Sequence, residues 1–151
     1  MTIEDALGPF VLPASVALAI VSVLALGWHV ARRYPTAPKR MPSGIGIDGR
    51  PRRPTSRRWL WAAPCVLVAV TALLCTVVVR QPPPDDAVVT TALVFLTIAE
   101  VAWLMAWVTD RQIELARGMT YRVAPARLFR ALTPILVTIA VTLFLAIRPA
   151  S

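Results

Sequence analysis

The chain is poor in charge, in acids, in histidine and in cysteine. Only 16% of its 151 residues are Asp, Glu, Lys or Arg, where a soluble domain averages about a quarter, and that shortage argues against a water-soluble globule. A single histidine, His29, leaves little material for a histidine-rich metal site or a histidine–carboxylate catalytic pair. Cys65 and Cys75 fall ten residues apart on one expected helix, about 15 Å by the helical rise, too far to bridge each other. They read as small packing residues. The glycine-rich segment 44–49 lacks the following helix and lysine of a phosphate-binding loop. With no legible nucleophile–base pair, metal-ligand set or cofactor motif, the chain reads as a non-enzyme without a cofactor.

Apolar residues are abundant instead, at 57%, and they gather in four runs, 10–30, 59–79, 87–108 and 128–147. Each is about twenty residues long, enough to cross roughly 30 Å of hydrocarbon. The expected fold is all-α: an integral membrane protein whose residues 1–151 form a single domain of four transmembrane helices in a bundle. Too little chain lies outside these runs for a separate soluble catalytic domain. Glu4 and Asp5 precede the first run without a lysine or arginine, unlike the positive leader of a cleaved signal peptide, so that run is expected to remain as a helix. Pro125 suits the start of the fourth helix, and Asp85 or Asp86 is placed to cap the third. Small residues at Ser15, Ala19 and Gly27, at Cys65, Ala69 and Ala72, and at Ala99, Ala102 and Ala106 offer close contacts between helices.

The sixteen basic residues set an orientation, because lysine and arginine in short loops stay on the cytoplasmic side. Nine lie between runs one and two: Arg32, Arg33, Lys39, Arg40, Arg50, Arg52, Arg53, Arg57 and Arg58. Five lie between run three and the first turn of run four: Arg111, Arg117, Arg122, Arg127 and Arg130. Arg80 and Arg148 alone fall on the other side, a 14-to-2 split. Both basic loops are therefore expected in the cytoplasm and both termini outside it, in the cell inner membrane. Trp28, Trp59, Trp61, Trp103, Trp107, Tyr34 and Tyr121 all map toward the same basic side, where such rings anchor helix ends at the headgroups.

Loop 31–58 carries five prolines and three glycines, so neither a helix nor a paired strand can run far through it. Its cations, Arg50, Arg52, Arg53, Arg57 and Arg58 among them, are candidate contacts for anionic lipid headgroups or a protein partner; near such a surface each is worth about 1 kcal/mol. Nucleic acid is not an expected partner, since the tract lacks interleaved aromatics and a known nucleic-acid-binding fold. In the second basic loop, Glu114 can pair with Arg111 or Arg117, and Gly118 is a natural helix stop.

The punctuation of the first loop runs Pro38-x3-Pro42-x6-Gly49-x-Pro51-x4-Ser56-Arg57, followed by Trp59 and Pro64. It resembles the loop after the first helix in the bacterial membrane family called domain of unknown function 1648. Gly44, Ile45, Arg52 and Pro54 depart from that pattern, replacing its histidine or polar residue, aromatic, aspartate and tryptophan. The match covers about twenty residues. It implies a likeness to the first part of SdpI-type immunity and signal-transducing membrane proteins, with no known enzyme activity.

Glu100 interrupts the third run. It sits eight residues, about 12 Å, from the Val108 end of that run, and an intramembrane charge costs at least roughly 2.5 kcal/mol on insertion scales. The expected partners are Arg130 and His29, which would complete an intramembrane polar cluster in the basic-side half of the bundle. Two roles follow: a lock between helices, which we favour, or a proton-coupling carboxylate in a small transporter. The leading functional expectation is thus an inner-membrane protein acting in immunity or signalling through a partner in the membrane, and the alternative a proton-coupled carrier.

Overall fold

The computed structural model describes residues 3–46, 48–119 and 123–147; Tyr121, Arg122 and Arg148, counted above, lie outside them. Four long helices form a bundle: α1 (Ile3–Arg33), α2 (Ala62–Arg80), α3 (Val88–Ala116) and α4 (Pro125–Ile147). All four are long and apolar enough to cross a membrane, and they pack against each other. This is a multi-pass membrane protein. The chain passes up, down, up and down, so α1 and α3 run in the same direction and both end at the basic loops.

The centre of the bundle is α3, which packs against α1, α4 and α2. Its buried face reads Ala92, Phe95, Ala99, Ala102, Thr109 and Ile113, with half-buried Ala106 completing the row. These positions alternate in steps of three and four, the spacing that keeps one seam turned toward a neighbouring helix. Alanines at the middle of the seam let α1 approach with Ala19, Ser22, Val23, Leu26 and Val30, close packing being what holds helices together where lipid is as apolar as the side chains. The α1–α3 pairing keeps one register: His29 meets Asp110 and Thr36 meets Arg117, both 81 residues apart.

The buried face of α2 follows the same three-and-four rule through Pro64, Leu67, Thr71, Leu74 and Val78. Cys65, Ala69 and Ala72 lie off that face and are exposed, which corrects the expected small-residue contact on this helix. Gly27 also offers no close approach, since a Cβ there would meet nothing within 4 Å. The stripe on α3, with Ala19 opposite, is where small residues serve packing.

Helix ends follow local chemistry. α4 begins at Pro125 as expected. α3 ends at Ala116 with Gly118 at φ +70°, and the N–H groups of Gly118 and Met119 reach back to the carbonyls of Leu115 (3.1 Å) and Glu114 (3.0 Å). That paired closure requires a left-handed residue, the reason for glycine at this position. The start of α3 differs from expectation: a 3-10 turn over Asp85–Ala87 intervenes, so Ala87 rather than an aspartate is the N-cap and no side chain caps the helix.

Loop 31–58 folds. Strands β1 (Arg40–Pro42) and β2 (Pro54–Ser56) pair antiparallel, with Met41 opposite Thr55, and a further bridge joins Ile45 to Pro51. Prolines keep the strands to three residues each, and Gly49 turns the tip at φ +77°. The hairpin is fastened to the bundle from below by buried Met41, Ala37 and Leu60, which join the main core. It is fastened from the side by a 3.0 Å bond from the Val123 N–H to the Gly49 carbonyl.

Candidate functional site

Polar side chains collect at three places. The first is the hairpin. Arg40, Arg50, Arg52, Arg53 and Arg58 are exposed on it and at its foot, with Arg50 3.6 Å from the Asp48 carboxylate. Ser56 ends β2 and accepts the Arg58 N–H at 3.4 Å, opening the 3-10 turn Arg57–Trp61 that leads into α2. Arg57 is spent on structure: its guanidinium stacks 4.7 Å above the Tyr34 ring, which in turn lies 6.3 Å from Trp61. Beneath the hairpin a cavity of about 370 Å³ is lined by Met41, Ile45, Thr55, Trp59, Met105 and Gln112, among others.

The second place is the basic end of the α1–α3 seam. His29 Nε2 lies 3.1 Å from Asp110 Oδ1, and Arg33 Nε reaches the same oxygen at 3.0 Å. Beyond them Arg117 donates to the Thr36 carbonyl at 2.7 Å. Arg111 pairs with Glu114 as expected and leans over the Trp107 ring at 5.9 Å. Asp110 was not expected to serve α1. The usable signal was its level: Asp110 lies just past the apolar run 87–108 of α3, as Arg33 lies just past the run 10–30 of α1, and parallel helices bring equal layers together.

The third place is Glu100. Its Oε1 accepts a 2.9 Å hydrogen bond from the Thr138 hydroxyl of α4, and its Oε2 is buried with no hydrogen-bond partner. The expected cluster of Glu100, Arg130 and His29 does not assemble. Glu100 follows Ala99 by one residue, about 100° around the helix, so it faces α4 while Ala99 and Ala102 lie on the seam toward α1, the helix that carries His29. Arg130 is exposed and precedes Thr138 by eight residues, about 12 Å along the axis, beyond reach of the acid. A cavity of about 290 Å³ borders Glu100 with Trp103, Trp107 and Pro134.

Thr138 is unusual among its neighbours. Thr71, Thr76, Thr97, Thr109, Thr133 and Thr142 each turn their hydroxyl back to the carbonyl four residues earlier, the cheapest partner within a helix. Thr138 reaches across to Glu100 instead.

Among the described residues no group of three His, Cys, Asp or Glu side chains is placed to hold a metal ion. Comparison with known proteins returns nothing: the chain matches no protein-family model, no curated protein and no solved structure.

Proposed function

We propose that this is a non-enzymatic protein of the bacterial inner membrane that works through its basic hairpin, holding it against anionic headgroups and presenting it to a membrane partner in immunity or signalling. The observation that carries the reading is that the cationic loop has a fixed fold. Short paired strands, a buried Met41 and the Val123–Gly49 bond hold the exposed arginines in one place, whereas lipid attraction alone needs only a flexible basic tether. Pro42, Gly49, Pro51 and Ser56, which carry the resemblance to domain of unknown function 1648, all have structural roles in this hairpin, which supports treating the loop as a module.

The charge split supports an orientation with the hairpin in the cytoplasm and both termini outside it. Reporter fusions at Gly46 and Gly118 are expected to read as cytoplasmic, and fusions after Pro84 and Ser151 as exterior. A periplasmic signal at Gly46 would reverse the topology.

Headgroup docking is tested in nanodiscs by amide exchange over residues 40–56. Exchange is expected to slow in anionic relative to neutral lipid. Replacing Arg50, Arg52 and Arg53 together by glutamine, at about 1 kcal/mol each, removes the difference, as does high salt. Equal exchange in the two lipids would refute the docking. The bundle still inserts in this variant, because Arg32, Arg33, Arg57 and Arg58 still flank the helices.

A second reading, a proton-coupled carrier, is favoured by one observation: Glu100 is held by a single bond from Thr138, with its other oxygen buried and unpartnered. It is tested by uptake driven by a pH gradient in proteoliposomes, which Glu100→Gln would abolish.

A further inference from the structure

We propose that the groove between α1 and α3 at the basic end of the bundle is a binding site for one anionic phospholipid, with an acyl chain between Trp28 and Trp103 and the phosphate at Arg32. The groove is walled by these two indoles, 72% and 64% exposed, and floored by Ala25, Ala102 and Ala106. Small side chains keep the floor low; large aromatic ones raise the walls. The groove volume is about 240 Å³, and a second space of about 430 Å³, bounded by Arg33 and Thr36, shares His29 and Arg32 with it. From Ser22 to Arg32 the groove covers ten residues, about 15 Å of helix, matching the hydrocarbon depth of one leaflet, half of about 30 Å.

Charge selects the headgroup. His29, Arg32 and Arg33 ring the mouth, and Asp110 already engages two of them. Among the described residues no acid pairs with Arg32. Its guanidinium therefore stands beside an apolar slot with a charge to satisfy, and a phosphate diester tethered to an acyl chain answers both features at once. A free phosphate would leave the slot empty, and a zwitterionic lipid, although it carries the same phosphate diester, would bring its own ammonium up against Arg32 and Arg33 at the mouth. The site is separate from the hairpin, and it rests on the proposed orientation only for which leaflet supplies the lipid.

The full chain, purified in mild detergent, is titrated with phosphatidylglycerol or phosphatidylcholine and read by native mass spectrometry. One phosphatidylglycerol per chain is expected, with phosphatidylcholine weaker by about tenfold, the scale of one like-charge contact between the choline ammonium and the arginines of the mouth. R32Q brings phosphatidylglycerol down to the phosphatidylcholine level. A25F, at an exposed position of the floor, blocks both lipids without entering the core, and circular dichroism verifies the fold of each variant. The Arg50, Arg52 and Arg53 triple variant retains the bound lipid, so failure of the hairpin reading and failure of this one are distinguishable. Equal binding of the two lipids, unchanged binding in R32Q, or a groove occupied by a second copy of the chain would each overturn the proposal.

Discussion

Ala99→Leu is expected to destabilise the bundle by about 1–3 kcal/mol, the range for forcing extra methylenes into a packed interior. Ala99 is 2% exposed at the middle of the α3 seam that packs on α1. Three added carbons must push α1 away or turn against their own helix, and either movement also disturbs the core packing of Ala19 and Phe95. The control is Ala72→Leu on α2, the same chemical change at a position facing outward, where it only adds apolar surface to lipid and stability is unchanged. Unfolding by SDS titration in mixed micelles measures both. Equal losses in the two variants would mean that the seam is misassigned.

Glu100→Leu is expected to stabilise the bundle by about 1–2 kcal/mol, the opposite of what the sequence alone implies for an acid locking helices together. The bond lost is one hydroxyl–carboxyl contact, worth about 0.5–1.5 kcal/mol net. Thr138 then turns back to the Pro134 carbonyl, as six other threonines do with their own fourth-neighbour carbonyls, and recovers most of it. What is relieved is larger: a buried carboxyl oxygen without a partner in a span where an ionised acid costs about 2.5–3.5 kcal/mol. Glu100→Gln keeps the acceptor for Thr138 and changes stability little. Thr138→Val removes the remaining hydrogen bond to the acid and lowers stability by about 1 kcal/mol. The same SDS titration ranks the four proteins. A loss of more than about 1 kcal/mol in Glu100→Leu would establish Glu100 as a packing residue. Stabilisation combined with loss of pH-driven uptake would assign it to transport.

The residues by themselves determined the class of fold, because twenty-residue apolar runs have one economical arrangement in lipid: a helix that satisfies its own backbone. They also determined where α4 starts, through Pro125, and where α3 stops, through Gly118, whose backbone properties act locally. Asp110, Thr138 and the Met41 anchor were decided only by the tertiary structure. Asp110 and Thr138 depend on the rotation of one helix about its axis relative to another, and Met41 on where the hairpin folds back onto the bundle; a shift of one residue, about 100°, separates the face that holds Ala99 from the one that holds Glu100. Near-uniformly apolar helices conceal that rotation, since lipid-facing and buried positions share one composition. Cys65, Ala69 and Ala72 resemble a contact stripe as strongly as Ala99, Ala102 and Ala106 do. Only the meeting of α1 with α3 distinguishes them, by placing one stripe against a neighbouring helix and turning the other outward.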